Sequence, residues 1–85
     1  MIVALRRRLP DTGEPETLAT FSIGSDGRAR LEPADAGNRA GIDAILGDGV
    51  PDERGSLVTP DDGEAYLRAL LAAYRGSRLW AEQVS

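Results

Sequence analysis

The densest group of chemically capable side chains lies in "LVTPDDGEAYLRALLAAY", Leu57 to Tyr74, where Asp61, Asp62 and Glu64 fall within four positions. With Asp48, Asp52 and Glu53 just upstream, they offer the oxygen ligands that Ca²⁺ or Mg²⁺ take. The spacing does not match an EF-hand loop, however, and no glycine stands at the place such a loop needs. The same acids are accounted for as the start of a helix. Thr59 suits the N-cap and Pro60 the first helical position, where its missing N–H costs nothing. Asp62 can complete a capping-box-like exchange with Thr59. Asp61, Asp62 and Glu64 then face the positive end of the helix dipole. No metal ligand is assigned.

Other chemistries lack a member. The chain has no Cys and no His, which removes thiol nucleophiles, zinc–thiolate sites and the commonest general base. All 10 basic residues are Arg, so Schiff-base chemistry and a P-loop lysine are excluded too. Ser22, Ser25, Ser56 and Ser77 have no histidine or lysine to activate them. A pair of carboxylates would need a substrate cleft that 85 residues scarcely provide. The glycines of "GSDGRAR" have neither dinucleotide nor Walker spacing and read as a hairpin turn. The expectation is a non-enzymatic protein with no cofactor.

The run Arg6-Arg7-Arg8 looks like a phosphate or nucleic-acid patch, but consecutive residues of a strand point to opposite faces. Val3, Leu5 and Leu9 share a face with Arg7; Ile2 and Ala4 share one with Arg6 and Arg8. Arg7 is therefore aimed toward the inner face, where it needs a carboxylate or carbonyl partner, and a buried ion pair at Arg7 is expected. The net charge of −4 argues against nucleic-acid and anionic-membrane partners. No apolar run approaches the roughly 20 residues of a membrane span. "MIVALRRRLP" places its apolar residues before its charges, the reverse of a signal peptide, and a cytoplasmic protein is expected.

The elements that must position these residues follow from pattern. Leu, Ile, Val and Phe together are 19 of 85 residues, enough for one lean domain spanning 1–85. Ile2 to Leu9 is too short for a stable helix before Pro10 and reads as a strand. "PDTGEP" is turn chemistry, and Thr17 to Ile23 is the second strand. A three-residue loop Ser25-Asp26-Gly27 pairs Ile23 with Ala29 and Phe21 with Leu31 in the third. It gathers Ala19, Phe21, Ile23, Ala29 and Leu31 on one face.

Ile42, Ile45 and Leu46 form one helical face ending at Gly47. Gly47 to Ser56 reads as a loop leading into a short extended piece at Leu57 and Val58. Leu67, Leu70, Leu71 and Tyr74 stripe a second helix that Gly76 ends. Arg78 to Val84 is a last strand. The order βββααβ predicts an α+β fold: about four mostly antiparallel strands, with two helices packed on one face.

Two amphipathic helices can cover only one face of such a sheet. Alternation in the last strand admits both placements of Trp80, under the helices or away from them. The reading adopted sends Leu79 and Ala81 to the core and places Trp80 and Val84 with Ile2 and Leu18 on the outer face. A half-apolar face holding the only Trp has the composition of an interface centre. The expected function is protein–protein contact, as a homodimer or as a subunit beside a larger partner. The rival readings are an acidic antagonist that neutralises a basic partner through Asp48, Asp52, Glu53, Asp61 and Asp62, and a small enzyme or ligand carrier with an anion or metal at the second helix start.

Overall fold

Ile2, Val3 and Leu5 ahead of Pro10 give the chain its first strand. In the computed structural model, which describes all of residues 1–85, that strand is one of the two inner strands of the sheet. Three strands follow the expected order, β1 (Ile2–Arg8), β2 (Pro15–Ile23) and β3 (Ala29–Pro33). A single 3₁₀ turn, Ala36–Asn38, leads into α1 (Arg39–Leu46). Then come β4 (Val50–Pro51), β5 (Leu57–Val58), α2 (Gly63–Ala73) and β6 (Leu79–Gln83). The main sheet is ordered β3-β2-β1-β6 with every pairing antiparallel. The fold is α+β.

The β2–β3 hairpin has the register that its apolar residues require. Phe21 pairs with Leu31 and Ile23 with Ala29. Gly27 takes the left-handed conformation at φ 78°, which a side chain would strain. Asp26 closes the loop by accepting from the Arg28 backbone N–H at 3.1 Å. That bond, ahead of the nearby arginine charges, holds the Asp26 carboxyl below its ordinary range.

The inner face packs Val3, Leu5, Ala19 and Phe21 against Ile42 and Leu46 of α1 and against Tyr66, Leu67, Ala69 and Leu70 of α2. α1 buries Ile42 and Leu46 as its stripe predicts, while Ile45 stays 38% exposed. Val50 is fully buried and pairs with Val58, so the expected Gly47–Ser56 loop contains half of a second, two-stranded sheet. The Asp52 carboxylate ties its turn by accepting from the Arg54 and Ser56 N–H groups, both at 2.9 Å.

The start of α2 differs from the sequence expectation. The helix begins at Gly63, and its N-cap is Asp62, whose carboxylate accepts from the Ala65 N–H. Thr59 and Pro60 instead form the turn before it, closed by a bond from the Asp62 N–H to the Thr59 carbonyl. Tertiary contact decides the point. The Pro60 carbonyl accepts from Ala29 at 2.8 Å, and Gly63 donates to the Gly27 carbonyl at 2.9 Å. These bonds pin the segment along the hairpin, so it cannot coil until Gly63.

The end of α2 also comes early. Tyr74, not Gly76, is the C-cap, because the chain pairs with β6 directly after the helix. Ala81 donates to the Tyr74 carbonyl at 2.8 Å and Gly76 to the Leu79 carbonyl at 3.0 Å.

Candidate functional site

Both helices pack on the inner face, so the outer face is the one large surface that no element covers. Register lays it out in rows. Val84, Ile2, Ser22 and Arg30 form the first; Glu82, Ala4, Thr20 and Glu32 the second; Trp80, Arg6 and Thr17 the third. Arg8, opposite Pro15, lies beyond them.

Trp80 stands on this outer face, directly opposite Arg6 in the register. Leu79 and Ala81, its neighbours in sequence, pack against the core. The guanidinium carbons of Arg8 and Arg6 lie 5.3 and 6.0 Å from its ring centre. Each such contact stabilises by about 0.5–1 kcal/mol at an exposed site. The Trp80 indole thus has two cations against it, and the face is less apolar than the sequence implies.

Arg6 donates to Glu82 at 2.8 Å, while its buried Nε has no acceptor in the chain. Arg8 donates to the Ser77 and Gly13 carbonyls, at 3.2 and 3.0 Å, and forms no ion pair. Its positive charge is unmatched within the chain. So is the negative charge of Glu32.

Of the four residues expected to form the contact, three share the outer face. Trp80 and Ile2 are partly exposed, and Val84, 57% exposed, lies beside Ile2 with its N–H bonded to the Ile2 carbonyl at 2.9 Å; the row of Ala4 and Glu82 separates these two from Trp80. Leu18 does not belong with them. It is 3% exposed and lies in the core. A β-bulge is the cause: Leu5 pairs with Ala19 but Arg6 pairs with Thr17, so Leu18 is an extra residue that turns inward beside Ala19. Its carbonyl is taken by the Ala34 N–H at 2.9 Å.

The same bulge settles Arg7. Shifting the register by one residue brings Glu16 opposite Arg7, and the two form an ion pair. The Arg7 side chain reaches the inner side of the sheet, where it lines one shallow pocket with Leu18, Ile42 and Ile45, but it keeps 45% of its surface exposed. The expected buried pair is therefore a half-exposed one at the sheet end. The stem packs and the charged head reaches water.

The acidic residues are mostly engaged locally. Asp61 pairs with Arg28 at 2.6 Å and Glu64 with Arg68 at 2.9 Å, while Asp62 and Asp52 serve as cap and turn. No three of these side chains converge in a way that could hold a metal ion.

Sheet edges are a second route to assembly, and both are blunted here. Along β6, the outward Ala81 N–H and Leu79 carbonyl are occupied by Tyr74 and Gly76. Along β3, the Ala29 N–H is bonded to Pro60 and the strand ends in Pro33, which has no N–H. The open surface is the face rather than an edge. No family model, no curated protein and no solved structure matches this chain.

Proposed function

We propose that this protein is a non-enzymatic protein–protein contact module that associates with a second copy of itself through the outer sheet face. The observation that carries the reading is an outer face on which no element packs, where Trp80 lies beside Arg6 and Arg8 with Ile2 and Val84 two rows along, opposite a face already filled by both helices. Aromatic and Arg side chains are the types that dominate contact energies. The face also carries both signs of charge, Arg6, Arg8 and Arg30 against Glu32 and Glu82. An isologous contact needs such self-complementarity. A lean core is a further support: only 15 of 85 residues are buried, and association would hide more apolar surface.

Light scattering across a wide concentration range tests this reading, run on the wild type and on Trp80→Ala. The expected result is a mass that rises toward the dimer for the wild type and stays monomeric for the variant. A wild type that remains monomeric throughout, at concentrations up to about millimolar, overturns it.

A further inference from the structure

Resting on that reading, we infer that the two copies pack with their strands antiparallel across the interface, about a two-fold axis that crosses the strands at Trp80, so that Glu82 of each copy meets Arg8 of the other. A face packed on its own copy requires a two-fold axis lying in the interface plane. Aligned sheets keep their strands within about 30° of each other, which leaves two arrangements.

In the first, the axis runs along the strands. Each row then faces its own row, and Glu82 lands near Glu32 of the second copy, with no cation in that row. Like charges brought together in this way are unfavourable. In the second, the axis runs across the strands through the row of Trp80 and Arg6. The acidic row then faces the position of Arg8, one strand over from Glu82 and within reach of long side chains. Trp80 meets its own copy on the axis. Arg6 does so too, held by Glu82 Oε1 of its own chain at 2.8 Å, so each Glu82 carboxylate is shared between its own Arg6 and the Arg8 of the second copy. Arg8 has no carboxylate partner in its own chain, nor has Arg78 opposite it, and this arrangement brings an acidic row to that end of the sheet. The charges choose the second.

Size sets the strength. Four strands about 4.8 Å apart and about 20 Å long present a footprint of about 400 Å², half of the roughly 800 Å² per partner in a standard interface. The dimer belongs to the weak, concentration-dependent class.

A charge exchange tests the geometry. Arg8→Glu and Glu82→Arg are each expected to weaken self-association about tenfold or more, measured by sedimentation. An equimolar mixture of the two should recover the wild-type affinity, because both cross pairs are restored in the mixed dimer. The double variant Arg8→Glu/Glu82→Arg should dimerise with itself for the same reason, and its urea unfolding reports that both substitutions are tolerated by the fold. Single variants that weaken without recovery on mixing overturn the Glu82–Arg8 contact. A Glu82→Arg variant that dimerises more tightly than the wild type also overturns it, in favour of the axis along the strands. A wild type that never dimerises overturns the dimer itself, a different result from either.

Discussion

The two faces of one sheet are held in different ways. The inner face is apolar, close-packed and pinned by backbone contacts; Val3, Leu5, Phe21, Leu67 and Leu70 are all within 1% of complete burial. The outer face is a grid of arginines, glutamates and small residues around one indole, and its charges are only partly matched. Its alanine, Ala4, is 5% exposed only because longer neighbours at Thr20 and Glu82 flank it. Folding energy is thus concentrated on one side, which leaves the other free to vary in the company it keeps. Substitutions on the inner side should unfold the chain, and those on the outer side should leave it folded and alter association.

Leu18 is the sharpest test of that division, because strict alternation assigns it to the outer face and the bulge to the inner. Leu18→Ala should cost about 3 kcal/mol in urea unfolding, as for other buried leucines. A loss below about 1 kcal/mol would return Leu18 to the surface. Next comes Gly63. A Cβ there would lie 2.5 Å from the Gly27 carbonyl oxygen and 3.0 Å from the Ala29 nitrogen, both backbone atoms with little freedom to retreat. Gly63→Ala should therefore cost about 2 kcal/mol, although alanine favours helices. A gain in stability would mean that the helix start is not pinned to the hairpin.

Trp80→Ala should destabilise the monomer by only about 1–1.5 kcal/mol, the loss of two cation–π contacts and a partly covered ring. A loss as large as that of Leu18→Ala would place the indole in the core and erase the contrast between the faces. Smaller still is the Arg7–Glu16 pair. Its exposed head limits Arg7→Ala to about 0.5–1 kcal/mol, part of it lost packing of the stem. A cost above about 3 kcal/mol would indicate a buried charge instead.

Proton linkage separates the regions once more. Burial raises Tyr66 and Tyr74 above the ordinary 10.0, with the Tyr74 and Asp43 charges adding to the rise at Tyr66. Their neutral forms therefore favour the folded state. This contribution is complete below pH 10.0 and is lost as pH climbs through the folded values. Asp26 has the opposite sign: its lowered value supports folding above pH 3.8 and stops doing so as pH falls through the folded value. Phenolate absorbance during an alkaline titration should rise later in the folded chain than in urea. Coincident curves would deny the burial of both rings.

Much of the fold is legible in local pattern. The three-residue hairpin loop follows from matching Phe21 and Ile23 to Leu31 and Ala29, and α1 follows from Ile42, Ile45 and Leu46 ahead of Gly47. These features depend on residues within about ten positions of one another, where turn chemistry and periodicity act directly.

Three features needed the assembled chain. The bulge at Leu18 has no local signature, since "TLATF" alternates well enough as a regular strand; only docking against Ile42 and the capture of its carbonyl by Ala34 favour the extra residue. Glu16 as the partner of Arg7 follows from that bulge and is hidden for the same reason. The helix start moves from Pro60 to Gly63 because the hairpin's backbone claims the segment between them. Sequence alone determined the strands of the main sheet, the two helices and the exclusion of Cys, His and Lys chemistry, because these are properties of residue type and short-range spacing, while the Val50–Pro51 strand escaped it. Tertiary structure decided which side of the sheet each ambiguous residue faces, because a one-residue shift in pairing reverses every side chain beyond it and its energy lies in distant contacts.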